Sequence, residues 1–184
     1  MPERPLLAGG ILLNQLKVCG ERFGQTIVDD VVRGLTQQER DVLTSLLPVS
    51  WVNTELAERV IDAVSARVGR DPDVLFREVV TTTVERQFKT VWRAILHFTS
   101  DSALVSRTPL IYSKTYNAGS LVSEIPAPGR VRAVVSGWPN DAPRQMLGLS
   151  YGIATVLRIA GRKHVDITYT PRPGGAEFHG TWKV

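Results

Sequence analysis

Residues 130–184 read RVRAVVSGWPN DAPRQMLGLS YGIATVLRIA GRKHVDITYT PRPGGAEFHG TWKV, and this stretch decides the fold class. Arg130 to Val135 alternates polar with apolar positions at its start, the period of a strand with one face buried. Pro143 to Ala160 then carries Met146, Leu149, Ile153, Val156 and Leu157 at helical spacing, with Gly148 and Gly152 one turn apart. Two such glycines cost a helix about 1 kcal/mol each relative to alanine, so close backbone contact with a sheet is the expected compensation. Val165, Ile167 and Tyr169 alternate with polar residues, and so do Phe178, Trp182 and Val184, on either side of the turn-rich Pro171-Arg172-Pro173-Gly174-Gly175. This predicts a hairpin in which Val165 pairs with Trp182 and Tyr169 with Phe178. In that register His164 faces Lys183 and His179 faces Thr168, so neither histidine meets a carboxylate.

Upstream, Leu110-Ile111-Tyr112 and Tyr116 to Val122 carry β-branched, aromatic and turn residues and read as strands, followed by the breaker Pro126-Ala127-Pro128-Gly129. Before residue 110 the pattern is helical. Thr36-Gln37-Gln38-Glu39 has the form of a capping box opening a helix that stops at Pro48. Asn53-Thr54 starts a second, with Leu56, Val60, Ile61, Val64 and Val68 on one stripe and Gly69 as the terminating residue. Asp71-Pro72 starts a third, in which Phe76, Val80, Val84, Phe88, Val91, Trp92 and Ile95 recur at steps of three or four. The fold class is therefore α+β: an N-terminal helical half, then an antiparallel sheet crossed by one long helix. One domain is expected, with a helical lobe over about 9–109 and a sheet-containing lobe over about 110–184.

The composition narrows the function classes. With 43% apolar and 22% charged residues in 184, the chain is globular rather than disordered. A single cysteine, Cys19, excludes an intramolecular disulfide and a multi-cysteine metal site, which suits a reducing cytoplasm. No apolar run approaches the ~20 residues of a membrane helix. The net charge of +4 is unevenly spread: residues 1–92 hold 11 basic and 13 acidic groups, residues 93–184 hold 11 and 5.

Catalytic patterns are lacking. There is no G-x-S-x-G elbow, no P-loop and no strand-following G-x-G-x-x-G. The three histidines, His97, His164 and His179, show no metal-ligand spacing. His97 reads as a helix-end residue and Cys19 as a packed thiol. Asp29-Asp30 and Asp71-x-Asp73 read as a solvated face and a helix start. No enzyme is expected. The basic second half is the one electrostatic feature that implies a partner: Arg130 and Arg132 share a strand face, and Arg158, Arg162 and Lys163 close the last helix. Phosphate or an acidic protein surface is the partner this suggests. No aromatic-basic platform for nucleic acid is present. Replacing Arg158, Arg162 and Lys163 with glutamine is expected to leave folding intact.

The order of a glycine-led N-terminal helix, a helical half, Tyr116-Asn117-Ala118-Gly119 before a Pro/Gly break, the Arg130 to Val135 strand, a glycine-containing helix and a closing hairpin resembles a paralogous family of myxobacterial proteins of unknown function. The resemblance covers about residues 9–184 and is carried by apolar patterns. That family is similar to the haem-nitric-oxide/oxygen-binding domains and the 4-vinyl-reductase-type domains, which share a helical lobe followed by a sheet crossed by one helix. Haem domains of this kind carry Tyr-x-Ser-x-Arg on the strand before the last long helix, where the three side chains hold the porphyrin propionates. By position this stretch is Val134-Val135-Ser136-Gly137-Trp138, and only Ser136 matches. Their proximal histidine would fall near Leu110 to Tyr112, where there is none. The resemblance thus implies a fold that has lost its haem residues, with no cofactor expected. Two functions follow from it, with a haem-based gas sensor as the remaining alternative. One is a regulatory or protein-interaction domain that binds another protein or its own copy. The other is a sensor for a small hydrophobic ligand, in an apolar pocket lined by some of Phe88, Trp92, Tyr112 and Trp138; a packed aromatic core is the alternative for all four.

Overall fold

Local capping chemistry builds the first part of the chain. The computed structural model describes residues 4–88, 96–97, 99–139 and 143–183. Strand β1 (Leu6–Ala8) leads into α1 (Gly9–Phe23), α2 (Gln25–Gly34) and α3 (Gln37–Thr44). The capping box before α3 is formed: the Thr36 hydroxyl accepts from the Glu39 amide at 3.3 Å, and the Glu39 carboxylate accepts from the Thr36 amide at 3.0 Å. These Thr36 bonds, with Arg59 beside them, hold the Glu39 carboxyl below the usual carboxylate range. The helix stops at Thr44, ahead of the expected Pro48, where Ser45 turns its hydroxyl back onto the Asp41 carbonyl at 2.7 Å. β2 (Trp51–Asn53) pairs antiparallel with β1 and runs into α4 (Thr54–Val68), capped by Asn53 and ended by Gly69 in the left-handed region. Asp71 accepts from the Asp73 and Val74 amides, both at 3.0 Å, to start α5 (Pro72–Gln87). Cys19, Val60 and Val64 are fully buried, as a packed core requires.

The chain divides into two compact units, Arg4–Thr83 and Val84–Val184, so the lobe boundary expected near residue 109 falls inside the second. That second unit contains α6 (Asp101–Ser106), α7 (Thr108–Thr115), β3 (Ser120–Glu124), β4 (Arg130–Ser136), α8 (Pro143–Ile159), β5 (Lys163–Arg172) and β6 (Gly175–Lys183). The strands form one antiparallel sheet in the order β3-β4-β6-β5, and α8 packs on the β5–β6 hairpin. Val131 on β4 and Trp182 on β6 join Leu157 of α8 and Ala160 just after it in one buried cluster.

Three expectations are corrected. Leu110-Ile111-Tyr112 is helical, within α7, because Pro109 sits in the first helical turn, where its fixed φ favours a helix over the β-propensity of its neighbours. The hairpin pairs Tyr169 with Phe178 and Thr168 with His179 as expected, but a bulge between Lys163 and Asp166 puts Lys163, not His164, opposite Lys183. His164 absorbs the irregularity at φ +51°, and Val165 is not laddered to Trp182 although both pack in the same cluster. A Cβ added at Gly152 meets nothing within 4 Å, so this glycine makes no close backbone approach.

Candidate functional site

The expected pocket residues do not form one group. Tyr112 lies buried on α7 and donates its hydroxyl to the Ala118 carbonyl at 2.8 Å. Its ring centroid is 5.4 Å from that of Tyr116, and Tyr116 meets Trp138 edge to face at 5.2 Å. Gly119, at φ +69°, permits this stack: a Cβ there would lie 2.8 Å from the Ser136 carbonyl oxygen and 3.1 Å from the Tyr112 hydroxyl. Phe88 packs instead against the separate cluster of Leu96, Leu104, Val131, Leu157 and Trp182. Trp92 lies outside the described residues. The link through Tyr116 was not legible, since nothing local shows that the turn brings it between the other two rings.

Two electrostatic features mark the stack. Burial pushes the Tyr112 phenol well above the usual tyrosine range, so it stays protonated and a donor. Trp138 is 3% exposed, and its indole Nε1–H has no hydrogen-bond partner among the described residues. Across Val134, Ser136 and Trp138 the chain thus places a valine, a serine at the end of β4, and a buried neutral donor.

The basic residues separate in the same way. Arg162 is not on the surface: its side chain is 8% exposed and its guanidinium pairs with Asp101 at 2.7 Å. It also donates to the carbonyls of Ala160 at 2.5 Å, Thr99 at 2.6 Å and Leu96 at 3.5 Å. Asp101 completes its shell by accepting from Trp182 Nε1 at 3.0 Å. Arg132 is likewise engaged, with Glu124 at 3.0 Å and Glu177 at 2.5 Å. Glu177 is the hub of this outer sheet face: 5% exposed, it also meets Arg172 and, at 3.1 Å, His179. The expectation that His179 meets no carboxylate is therefore wrong, because residues two apart on a strand share a face. Arg130, Arg158 and Lys163 remain exposed, Arg158 donating to the Val165 carbonyl at 3.2 Å.

Exposed apolar side chains supply a surface that the sequence reading missed. Between α3 and β2, Leu47, Val49 and Trp51 face solvent, Val49 at 88% exposure. In the second unit Leu110 and Ile111 on α7 and Val122 on adjoining β3 do so as well, Leu110 at 61% and Val122 at 69%. A separate open groove of about 420 Å³ runs between α1 and α2, with Leu16, Val28 and Val32 inside and Lys17, Asp29 and Arg33 among its lining. Among the described residues no group of three His, Cys, Asp or Glu side chains could hold a metal ion, and no helix is long and apolar enough to cross a membrane.

No family model and no curated protein matches the chain. Solved structures do. The Fe(II) unliganded H-NOX protein from K. algicida matches with a TM-score of 0.69 at 12% identity, over 97% of each chain. A variant of the T. tengcongensis H-NOX gives 0.68 at 13% identity, over 97% of this chain and 98% of that one. The oxygen complex of an oxygen-binding H-NOX domain related to soluble guanylate cyclases gives 0.67 at 13% identity, over 97% and 96%. The α+β fold is that of H-NOX domains.

Proposed function

We propose that this chain is a haem-free, non-enzymatic regulatory domain on the H-NOX fold, acting by contact with protein. The observation that carries the reading is the Tyr112–Tyr116–Trp138 stack. A five-coordinate haem needs an axial donor and a partner for its propionates. On α7 the buried Tyr112 is a protonated phenol committed to Ala118, a poor iron ligand, and the residue in the guanidinium position is an indole without charge. His97 is exposed, its imidazole lying beside Gly161, where a Cβ would be 2.5 Å from Nδ1. The exposed apolar side chains of both units support the protein-contact part of the reading. Expression with a haem precursor followed by an absorption spectrum is expected to show no Soret band from bound haem. A stoichiometric band lost on His97→Ala would overturn the reading.

A second reading is favoured by Trp138. A buried N–H without an acceptor costs about 1–3 kcal/mol, which a small apolar ligand carrying one neutral acceptor would recover. Native mass spectrometry of protein purified from its own host separates the two: a co-purifying small molecule, lost in Trp138→Phe, supports the sensor reading, and a mass without adduct supports the first.

A further inference from the structure

We propose that the protein partner is a second copy of this chain, with the loop Leu47–Trp51 of one copy seated on the α7 and β3 surface of another. The inference rests on the protein-contact reading above and names its partner. The loop is built rather than loose. Gly9 and Gly10 at the start of α1 donate their amides to the Ser50 carbonyl at 2.7 Å and the Pro48 carbonyl at 3.1 Å, and the Ser50 amide closes a turn on the Leu47 carbonyl at 3.0 Å. Only glycine fits there, since a Cβ at residue 9 would lie 2.4 Å from the Leu47 carbonyl oxygen. A loop held in this way presents Leu47, Val49 and Trp51 with little conformational entropy left to lose on binding.

The receiving surface has matching chemistry. Leu110 and Ile111 project from α7 between Arg107 at its start and Lys114 in its last turn, both exposed, and Val122 lies on the adjoining strand. Charge selects the occupant. The unit that carries the loop holds 9 basic and 11 acidic groups, net −2; the unit that carries α7, which also takes in residues 1–3, holds 13 and 7, net +6. Apolar contacts of this kind provide the affinity, while opposite fields orient the encounter and discriminate against a loop meeting a loop. A net acidic unit is also repelled from an anionic bilayer, which disfavours a membrane as the surface the loop meets. Such a contact joins different patches on the two copies, so association by it begins with a dimer.

The test is light-scattering mass measurement over a micromolar to millimolar concentration series, on wild type and on Val49→Lys and Ile111→Glu. Both residues are exposed, so circular dichroism is expected to show both variants folded. Wild type is expected to reach at least twice the monomer mass, each variant to weaken association by about tenfold or more, and an equimolar mixture of the two to recover it. In the mixture the intact loop of Ile111→Glu meets the intact α7 of Val49→Lys. A monomeric wild type overturns the proposal, as does a mixture that stays monomeric. Loss of the dimer with Val49→Lys but not with Ile111→Glu overturns it too, because it indicates a loop-to-loop contact. Haem binding by the protein would defeat the preceding reading and leave this contact standing; a monomeric, haem-free wild type would do the reverse.

Discussion

Replacing Arg162 with methionine tests the clasp that joins the end of α8 to the start of α6. Methionine keeps much of the side-chain length, so packing changes little and the loss is mainly electrostatic. Asp101 loses its counter-charge and keeps the Trp182 indole as a donor, while the carbonyls of Ala160 and Thr99 lose the guanidinium and that of Leu96 keeps the Thr99 amide at 3.1 Å. Removing one partner of a buried ion pair costs about 3–5 kcal/mol, and with Arg162 8% and Asp101 20% exposed, solvent compensates little on the arginine side. For a chain of this size that corresponds to a fall in Tm of roughly 6–20 °C. Asp101→Asn keeps one acceptor oxygen for two donors and turns an amide N–H toward the other, leaving the Arg162 guanidinium without a counter-charge, so a loss of the same order, about 3–5 kcal/mol, is expected. Urea unfolding followed by circular dichroism, with an unchanged m-value, measures both. An Arg162→Met loss below about 1 kcal/mol would refute the inference that the guanidinium organises this end of the unit. The same geometry reverses the expectation that Arg162 tolerates glutamine.

Further outcomes follow from single positions. Gly119→Ala places a side chain at φ +69° and 2.8 Å from a backbone oxygen, so it is expected to cost about 1–3 kcal/mol and to flatten the near-ultraviolet signal of the aromatic stack; an unchanged spectrum would refute that account of the stack. His164→Gly relieves a left-handed residue and is expected to gain about 0.5–1 kcal/mol, whereas His164→Val loses; the opposite order in thermal melts would remove the strain argument. Burial raises the Cys19 thiol to about 11, so a thiol reagent at mildly alkaline pH is expected to label only unfolded protein. Because the folded pKa lies above the unfolded one, this group's contribution is complete below the unfolded pKa of about 8.5 and is lost as pH rises through about 11. Cys19→Ser is expected to flatten that decline.

Much of the fold was local information. The Thr36 capping box, the Asn53 and Asp71 caps, the Gly69 terminator, β4, α8 and the Tyr169–Phe178 register follow from residues within one turn or one strand period of each other, where hydrogen bonding and burial are set by near neighbours. Short apolar runs carry no such marker, which is why Leu110-Ile111-Tyr112 read as a strand and became part of a helix with Pro109 in its first turn. The candidate site was legible only as an inventory of aromatic and basic residues. Their use was settled by contacts across 61 positions for Arg162 with Asp101, 81 for Trp182 with Asp101, and 45 for Arg132 with Glu177. An arginine reads the same in sequence whether it faces solvent or a buried carboxylate. Composition determined that the second half is basic, and tertiary structure decided which cations are spent inside it and which apolar side chains are left for a partner, because desolvation is a property of what the chain folds against.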